Sequence, residues 1–202
     1  MKTRPLRRAG VLAGLVAGPF FLISVGLNTW ASIDYLRGLG WEFVGGEQVP
    51  WPSSLARGPH GWAQVATFAI TGVLILILAV AVRDQLPHRR ASSFAVVMLT
   101  LLGVALMLAA FRVDTPMLTG GSPATWHGSV HAIAFLLIIA TGVLAPLTMA
   151  LAVRGDPSWP PIAVVSIAAS ALFVVFLIFA VGQRLIPAGD HHCLSPGLQR
   201  SP

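Results

Sequence analysis

The sequence has little charge, one cysteine and one tyrosine. Asp, Glu, Lys and Arg make up only 10% of its 202 residues, whereas soluble globular proteins carry about a quarter charged residues. The single cysteine, Cys193, excludes an intramolecular disulfide and gives no information about the redox compartment. Apolar residues make up 55% of the chain, so lipid must be the solvent for most of it.

The charges that are present are mainly basic and give a net charge of +6. All 13 basic residues except Lys2 are arginines. Many lie at the edges of apolar segments, from Arg4 to Arg8 and from Arg83 to Arg90, where they set topology and contact anionic lipid. This placement predicts membrane lipids as partners and argues against a nucleic-acid partner.

Five apolar stretches approach or exceed the roughly 20 residues that a helix needs to cross a hydrocarbon core. They are Val11–Trp30, Trp62–Val82, Ser93–Phe111, Val130–Val153 and Ile162–Val181. None has the polar face of a soluble amphipathic helix or the alternation of a lipid-facing strand. The sequence therefore predicts an all-α, polytopic transmembrane helix bundle of about five spans. Residues 1–183 form one transmembrane domain in this prediction, and residues 184–202 form a mobile polar tail.

The N-terminal stretch follows a basic segment, as the apolar part of a secretory signal does. Its apolar run continues past Pro19 to Leu27 and is too long for a signal, so we expect a retained first helix. If the N-terminus is inside, the cytoplasmic segments hold more Lys and Arg than the outer ones, with the strongest bias from Lys2 to Arg8. The prediction is a multi-pass protein of the cell membrane with a cytoplasmic N-terminus.

Small residues recur every four positions in two of the stretches, at Gly10, Gly14 and Gly18 and at Ser166 and Ser170. Because small side chains let two helix backbones approach closely, these residues predict helix–helix contacts. We favour packing within one chain. A homo-oligomer joined through such a face is the alternative.

The segment from Phe111 to His131 holds the most informative group of polar residues. Ser122 followed by Pro123 predicts a helix start. His127 and His131 are four residues apart on that helix, so they project from the same face.

We expect His127 and His131 at the outer head-group boundary of the membrane. Two further polar residues are expected at that boundary. Asp114 ends the third apolar stretch, and His60 precedes the second. A cluster of Asp114, His127 and His131, with His60 as a further member, is therefore allowed by the predicted topology.

Two histidines one turn apart and a carboxylate form a partial ligand set for zinc. A zinc ion with an open position would activate water for hydrolysis of a lipid head group, with Asp114 as a ligand or as the catalytic base. The segment lacks the glutamate of the HEXXH motif, however, because Gly128, Ser129 and Val130 separate the histidines. We favour a structural role, in which the histidines form hydrogen bonds, Arg112 pairs with Asp114 and no cofactor is bound.

Four segments carry a family resemblance: WPSSLARGPHGWAQVATFAITG from Trp51 to Gly72, FRVDTP from Phe111 to Pro116, WHGSVH from Trp126 to His131 and GQR from Gly182 to Arg184. They resemble, in order, the motifs of the bacterial multi-pass membrane proteins called domain of unknown function 998 (DUF998). The resemblance implies a bacterial inner-membrane protein and a topology more than a mechanism, because that family has no established activity.

The resemblance also implies six spans, the last of them after the GQR motif. The residues after Arg184 cannot span a bilayer, so we expect a truncated or frame-altered chain that lacks the sixth helix. His191, His192 and Cys193 have metal-binding chemistry but lie in the terminus that we expect to be mobile, so no site is predicted there.

These observations favour a non-catalytic integral membrane protein that acts by helix packing, lipid contact or partner binding. The alternative is a membrane-embedded, metal-dependent hydrolase acting on lipid head groups at the outer leaflet. A transporter ranks third, because apart from Asn28 the spans contain almost no charged or amide side chains for a site at the midplane.

Overall fold

The computed structural model describes residues 3–41, 51–87, 89–118, 121–157 and 159–185. Within these ranges the chain forms helices and no strand, which confirms the predicted all-α fold. In chain order they are α1 (Thr3–Ala31), α2 (Ile33–Gly38), a 3₁₀ helix (Pro52–Arg57), α3 (Gly61–Arg83), α4 (Arg90–Ala109), α5 (Thr115–Leu118), α6 (Trp126–Val153) and α7 (Pro160–Leu185). The predicted polar tail, with His191, His192 and Cys193, lies outside the described residues from residue 186 onward.

Five helices are long and apolar enough to cross a membrane, namely α1, α3, α4, α6 and α7. They correspond to the five predicted stretches, so the prediction of a polytopic bundle is confirmed. The ends differ by a few residues, since α4 ends at Ala109 rather than at Phe111, and α6 begins at Trp126 rather than at Val130. The protein is a multi-pass integral membrane protein.

The five spans pack as a row in the order α1, α3, α4, α6 and α7, with the main contacts between successive members. A buried cluster of Phe68, Leu106, Ala109 and Ala134 joins α3, α4 and α6 near the middle of the row. The edge helix α7 packs against α6 and leaves most of its side chains exposed. Alanine fills several of the buried positions, as expected where helices associate by close packing in lipid.

The backbones of α3 and α4 approach closely at a pair of glycines. A Cβ on Gly72 would lie 2.7 Å from the carbonyl oxygen of Gly103, and a Cβ on Gly103 would lie 2.8 Å from Cγ of Leu76. Any larger side chain at either position would therefore push the helices apart. This contact joins two separate apolar stretches and was not predicted from the four-residue spacing within one stretch.

The predicted glycine face of α1 meets α3 over part of its length. A Cβ on Gly10 would overlap that of Ala81, and a Cβ on Gly14 would lie 3.2 Å from a methyl group of Leu78. Nothing lies within 4 Å of a Cβ placed on Gly18, so this residue is not part of the contact. Four residues correspond to about 400° of rotation, so successive glycines turn about 40° away from the partner helix. The buried positions Ala13 and Ala17 continue the contact instead.

Ser170 joins the two helices at the other end of the row. Its hydroxyl donates a hydrogen bond of 3.0 Å to the backbone oxygen of Val143 in α6, and the side chain is buried. Ser166, one turn earlier, is half-buried. A homo-oligomer stays a prediction.

The bundle has two chemically different ends. The loop end carries α2, the 3₁₀ helix and residues 110–118 and 121–125. The arginine end carries Arg7, Arg8, Arg83, Arg89, Arg90 and Arg154. There the Arg89 guanidinium donates a hydrogen bond of 2.9 Å to the Arg154 carbonyl, which ties two connections together. The cytoplasmic position of the N-terminus, and with it of the arginine end, stays a prediction.

Candidate functional site at the loop end

The Asp114 carboxylate joins the segment after α4 to the start of α6. Its Oδ2 accepts hydrogen bonds from the backbone N–H groups of Ala124 and Thr125, and its Oδ1 accepts one from the Thr125 hydroxyl, each at 2.8 Å. Asp114 is only 8% exposed. Burial raises the pKa of Asp114, but the hydrogen bonds from Thr125 and Ala124 and the nearby His127 together lower it below its usual value. The carboxylate is therefore ionised and already holds three donors.

Thr125 is the residue that starts α6. Its backbone is extended, and its hydroxyl oxygen accepts a hydrogen bond of 3.2 Å from the N–H of Gly128 while donating to Asp114. The predicted helix start at Ser122 and Pro123 is wrong, because the helix cannot begin before the extended Thr125. A Cβ on Gly128 would overlap the Asp114 carboxylate, so glycine lets α6 approach it.

His131 is buried and ties α6 to the end of α4. It is 3% exposed, and its Nδ1 lies 2.7 Å from the carbonyl oxygen of Phe111. Because a carbonyl oxygen only accepts, Nδ1 carries the proton and donates.

His127 faces a different environment from His131. It is exposed, and its ring stacks on Trp126 with the centroids 3.9 Å apart and the planes at 32°. Phe111 packs edge-on against the same Trp126 at 5.5 Å. The Nδ1 atom of His127 lies 3.4 Å from the Thr125 hydroxyl. His127 thus belongs to an exposed aromatic group, of the kind that anchors a helix at the membrane interface.

The candidate metal ligands do not gather into one cluster in the described part of the chain. No group of three His, Cys, Asp or Glu side chains there is close enough to hold an ion. His60 occupies the N-cap position of α3 without a side-chain cap bond and lines a groove between α1 and α3. Asp114 and His127 both contact the Thr125 hydroxyl, whereas His131 contacts the Phe111 carbonyl. The favoured expectation of no cofactor and the alternative of a zinc site both stay untested.

No ion pair joins Arg112 to Asp114 in the described part of the chain. Arg112 is exposed, and the contacts that hold the Asp114 carboxylate come from Ala124 and Thr125. A different arginine approaches this segment: Nη1 of Arg57 donates a hydrogen bond of 3.2 Å to the Val113 carbonyl. Sequence analysis missed Arg57, although it lies within the Trp51–Gly72 segment that carried the resemblance.

A family model described as "Protein of unknown function (DUF998)" matches residues 52–193. The chain belongs to the DUF998 family. The resemblance predicted from the four segments is thereby confirmed. Comparison with curated proteins gave no match, and comparison with solved structures gave none either. The matched range includes the Asp114 contacts and α6, while α1 and α2 precede it.

The 3₁₀ helix of this DUF998 protein lies across the loop end as a cap. At its start, Trp51 packs edge-on against Phe135 of α6 and Phe176 of α7, with centroids at 5.1 and 6.1 Å. Further along, the buried Leu55 packs in a cluster with Leu36 and Trp41. The cap thus connects the α6–α7 edge of the row with α2.

A group of amide side chains lies beneath the cap between α1 and α3. The Asn28 amide donates to Oε1 of Gln64, and the Ser32 hydroxyl donates to Oδ1 of Asn28, both at 3.4 Å. Gln64 is completely buried, and its Nε2 has no hydrogen-bond partner among the described residues. Sequence analysis noted Asn28 as an exception within the spans but did not find this group. These amides keep unused donor capacity.

Proposed function

We propose that this DUF998 protein is a non-catalytic integral membrane protein that acts by contacting lipid and binding partners in the membrane. The state of Asp114 supports this proposal most directly. A catalytic base works best with a pKa near the operating pH, whereas the pKa of Asp114 lies below its usual value. Its carboxylate also accepts three hydrogen bonds that start α6, so a catalytic role would disrupt the helix start.

The surface of the bundle supports lipid contact. Large apolar side chains of α1 and α7, at the two edges of the row, are exposed along the length of these helices. Exposed tryptophans, Trp30, Trp62 and Trp126, lie at the loop end, where such side chains anchor a helix at the head-group level.

The test is a combined metal and turnover measurement on detergent-purified protein. Zinc, iron and copper are determined for the wild type and for His127→Ala, and head-group release from reconstituted phospholipid is followed for the wild type and Asp114→Asn. We expect no stoichiometric metal and no release. Metal that is lost in His127→Ala, or release that is lost in Asp114→Asn, would contradict the proposal and support the hydrolase.

We further propose that the protein lies in the bacterial cell membrane with its N-terminus and arginine end in the cytoplasm, as the arginine distribution indicates. In a Cys193→Ser background, single cysteines at Pro59, near the loop end, and at Gln85, near the arginine end, would be labelled with a membrane-impermeant maleimide in intact cells. Labelling of the Pro59→Cys protein alone is expected. Labelling of the Gln85→Cys protein alone would reverse the orientation.

A further inference from the structure

A groove runs along the loop-end half of the contact between α1 and α3. At the arginine end these helices touch through Gly10 and Ala81, and toward the loop end the rings of Phe21 and Phe68 lie in contact with their centroids 6.1 Å apart. The groove has a volume of about 370 Å³, within the range of about 300–1,000 Å³ for small-molecule sites. Its lining residues are Phe20, Ser24, Leu27, Asn28, Ala31, His60, Trp62, Ala63, Ala66 and Thr67.

The length of the groove matches one leaflet of a bilayer. From Phe20 to Ala31 the α1 wall rises about 16 Å at 1.5 Å per residue. Half of a hydrocarbon core of about 30 Å is about 15 Å. Trp62, which is 70% exposed beside the groove, sets the head-group level at the upper end of this wall. The groove therefore reaches from the head-group level to near the midplane.

The polarity of the lining changes along that length. Phe20 lies at the deep end, and Leu27 and Ala66 continue the wall together with two hydroxyl side chains, Ser24 and Thr67. The Thr67 hydroxyl is already bonded to the Ala63 carbonyl of its own helix. The amide and imidazole side chains, Asn28 and His60, line the end near the head groups, where the polar part of a lipid lies.

Asn28 provides an unused donor in this wall. Its side chain is only 5% exposed, yet it lines the groove, and the two hydrogen bonds it forms are both long at 3.4 Å. The amide nitrogen has two protons and directs one at Gln64, and the other has no acceptor among the described residues. A buried amide proton with no acceptor is unfavourable unless a ligand supplies an oxygen.

We propose that this groove is a binding site for one glycerophospholipid of the surrounding leaflet. One acyl chain lies along Phe20, Leu27 and Ala66, an ester carbonyl accepts the free amide proton of Asn28, and the phosphate lies beside His60. The site specifies the lipid-contact role proposed above and rests on it. No part of it uses Asp114, His127 or His131.

The test is lipid retention, measured by native mass spectrometry of protein released from phosphatidylglycerol and phosphatidylethanolamine nanodiscs. We expect one retained phospholipid on the wild type. Ala66→Phe fills the groove and should lower retention about tenfold, since two displaced methylene groups already correspond to such a change. Ala169→Phe, at an exposed position of α7, should retain lipid as the wild type does.

A second pair of variants tests the site even if the Ala66→Phe protein does not fold. Leu27→Ala removes part of the groove wall, and Leu22→Ala removes another exposed leucine of α1 that does not line the groove. Retention should fall in Leu27→Ala only. The proposed site would be overturned if the groove variant and its control retained lipid equally in every pair that folds. It would also be overturned if the wild type retained no lipid. A peptide or a second copy bound there in place of lipid would also overturn it. All of these outcomes leave the metal and turnover test of the non-catalytic role unaffected.

Discussion

Replacing Thr125 with valine should show how much the hydrogen bonds between Asp114 and the start of α6, here called the loop-end joint, contribute to the stability of the protein. The Thr125 hydroxyl accepts a hydrogen bond from the Gly128 N–H and donates one to Asp114, so a single side chain starts α6 and holds the carboxylate. Valine keeps the size and β-branching of threonine but cannot form either bond. The variant therefore removes hydrogen bonds with little change in packing.

Loss of the hydrogen bond from the Gly128 N–H alone sets a lower limit to the expected loss of stability. Loss of an N-cap side chain destabilises a helix by about 1 kcal/mol, and loss of the bond to Asp114 adds to this. We therefore expect the free energy of unfolding to fall by at least about 1 kcal/mol, roughly fivefold in the unfolding equilibrium. The measurement is unfolding by SDS in detergent micelles, followed by circular dichroism.

Thr148→Val is the matched control on the same helix. The Thr148 hydroxyl bonds only to backbone carbonyls of its own helix, those of Leu144 and Ala145, which the helix already satisfies. Its replacement should be nearly neutral. If Thr125→Val and Thr148→Val unfold at the same SDS fraction, the joint does not stabilise α6 and the structural interpretation of Asp114 is refuted.

Three further predictions concern acid stability, the α3–α4 contact and the cap. Because the pKa of Asp114 is lower in the folded protein, its contribution is present above the unfolded value of about 3.9 and is lost as the pH falls through the folded value. Unfolding measured against pH should therefore show an acid-induced loss of stability that is smaller in Asp114→Asn, and equal losses would contradict this. Gly103→Ala should destabilise by about 1–3 kcal/mol through overlap with Leu76, whereas Gly26→Ala, with open space around it, should not. Trp51→Ala should couple to Phe176→Leu by about 0.5–1.5 kcal/mol in a double-mutant cycle, while Trp30→Ala, at an exposed position of α1, should show no coupling to Phe176→Leu.

The spans were predictable because lipid imposes one simple requirement on sequence. A helix that crosses the core needs a long apolar run, and the runs ending near Trp30, Val82 and Val153 show it directly. The polar joint was predictable in part, because Asp114 and His131 lie at the ends of such runs. The apolar runs do not predict how each helix is rotated about its own axis.

The partners of the site residues depend on that rotation and on contacts between distant segments. Arg57 reaches the Val113 carbonyl across 56 positions of sequence, and Gly72 meets Gly103 across a helix connection. Ser122 and Thr125 are both good capping residues, and only the position of the Asp114 carboxylate favours Thr125. Spacing within one segment could not distinguish these cases.

The row of helices also explains where binding should occur. Without a hydrophobic drive between helices in lipid, each contact depends on close packing and a few polar bonds. An inner helix has two such contacts, whereas α1 and α7 have one main contact each. The edge α7 is held by Ser170 and by Trp51 of the cap. The edge α1 is held by close approach at Gly10, by the contact of Phe21 with Phe68 and by a long hydrogen bond from Asn28 to Gln64. The proposed lipid would enter beside the long hydrogen bond, where the least protein contact is lost.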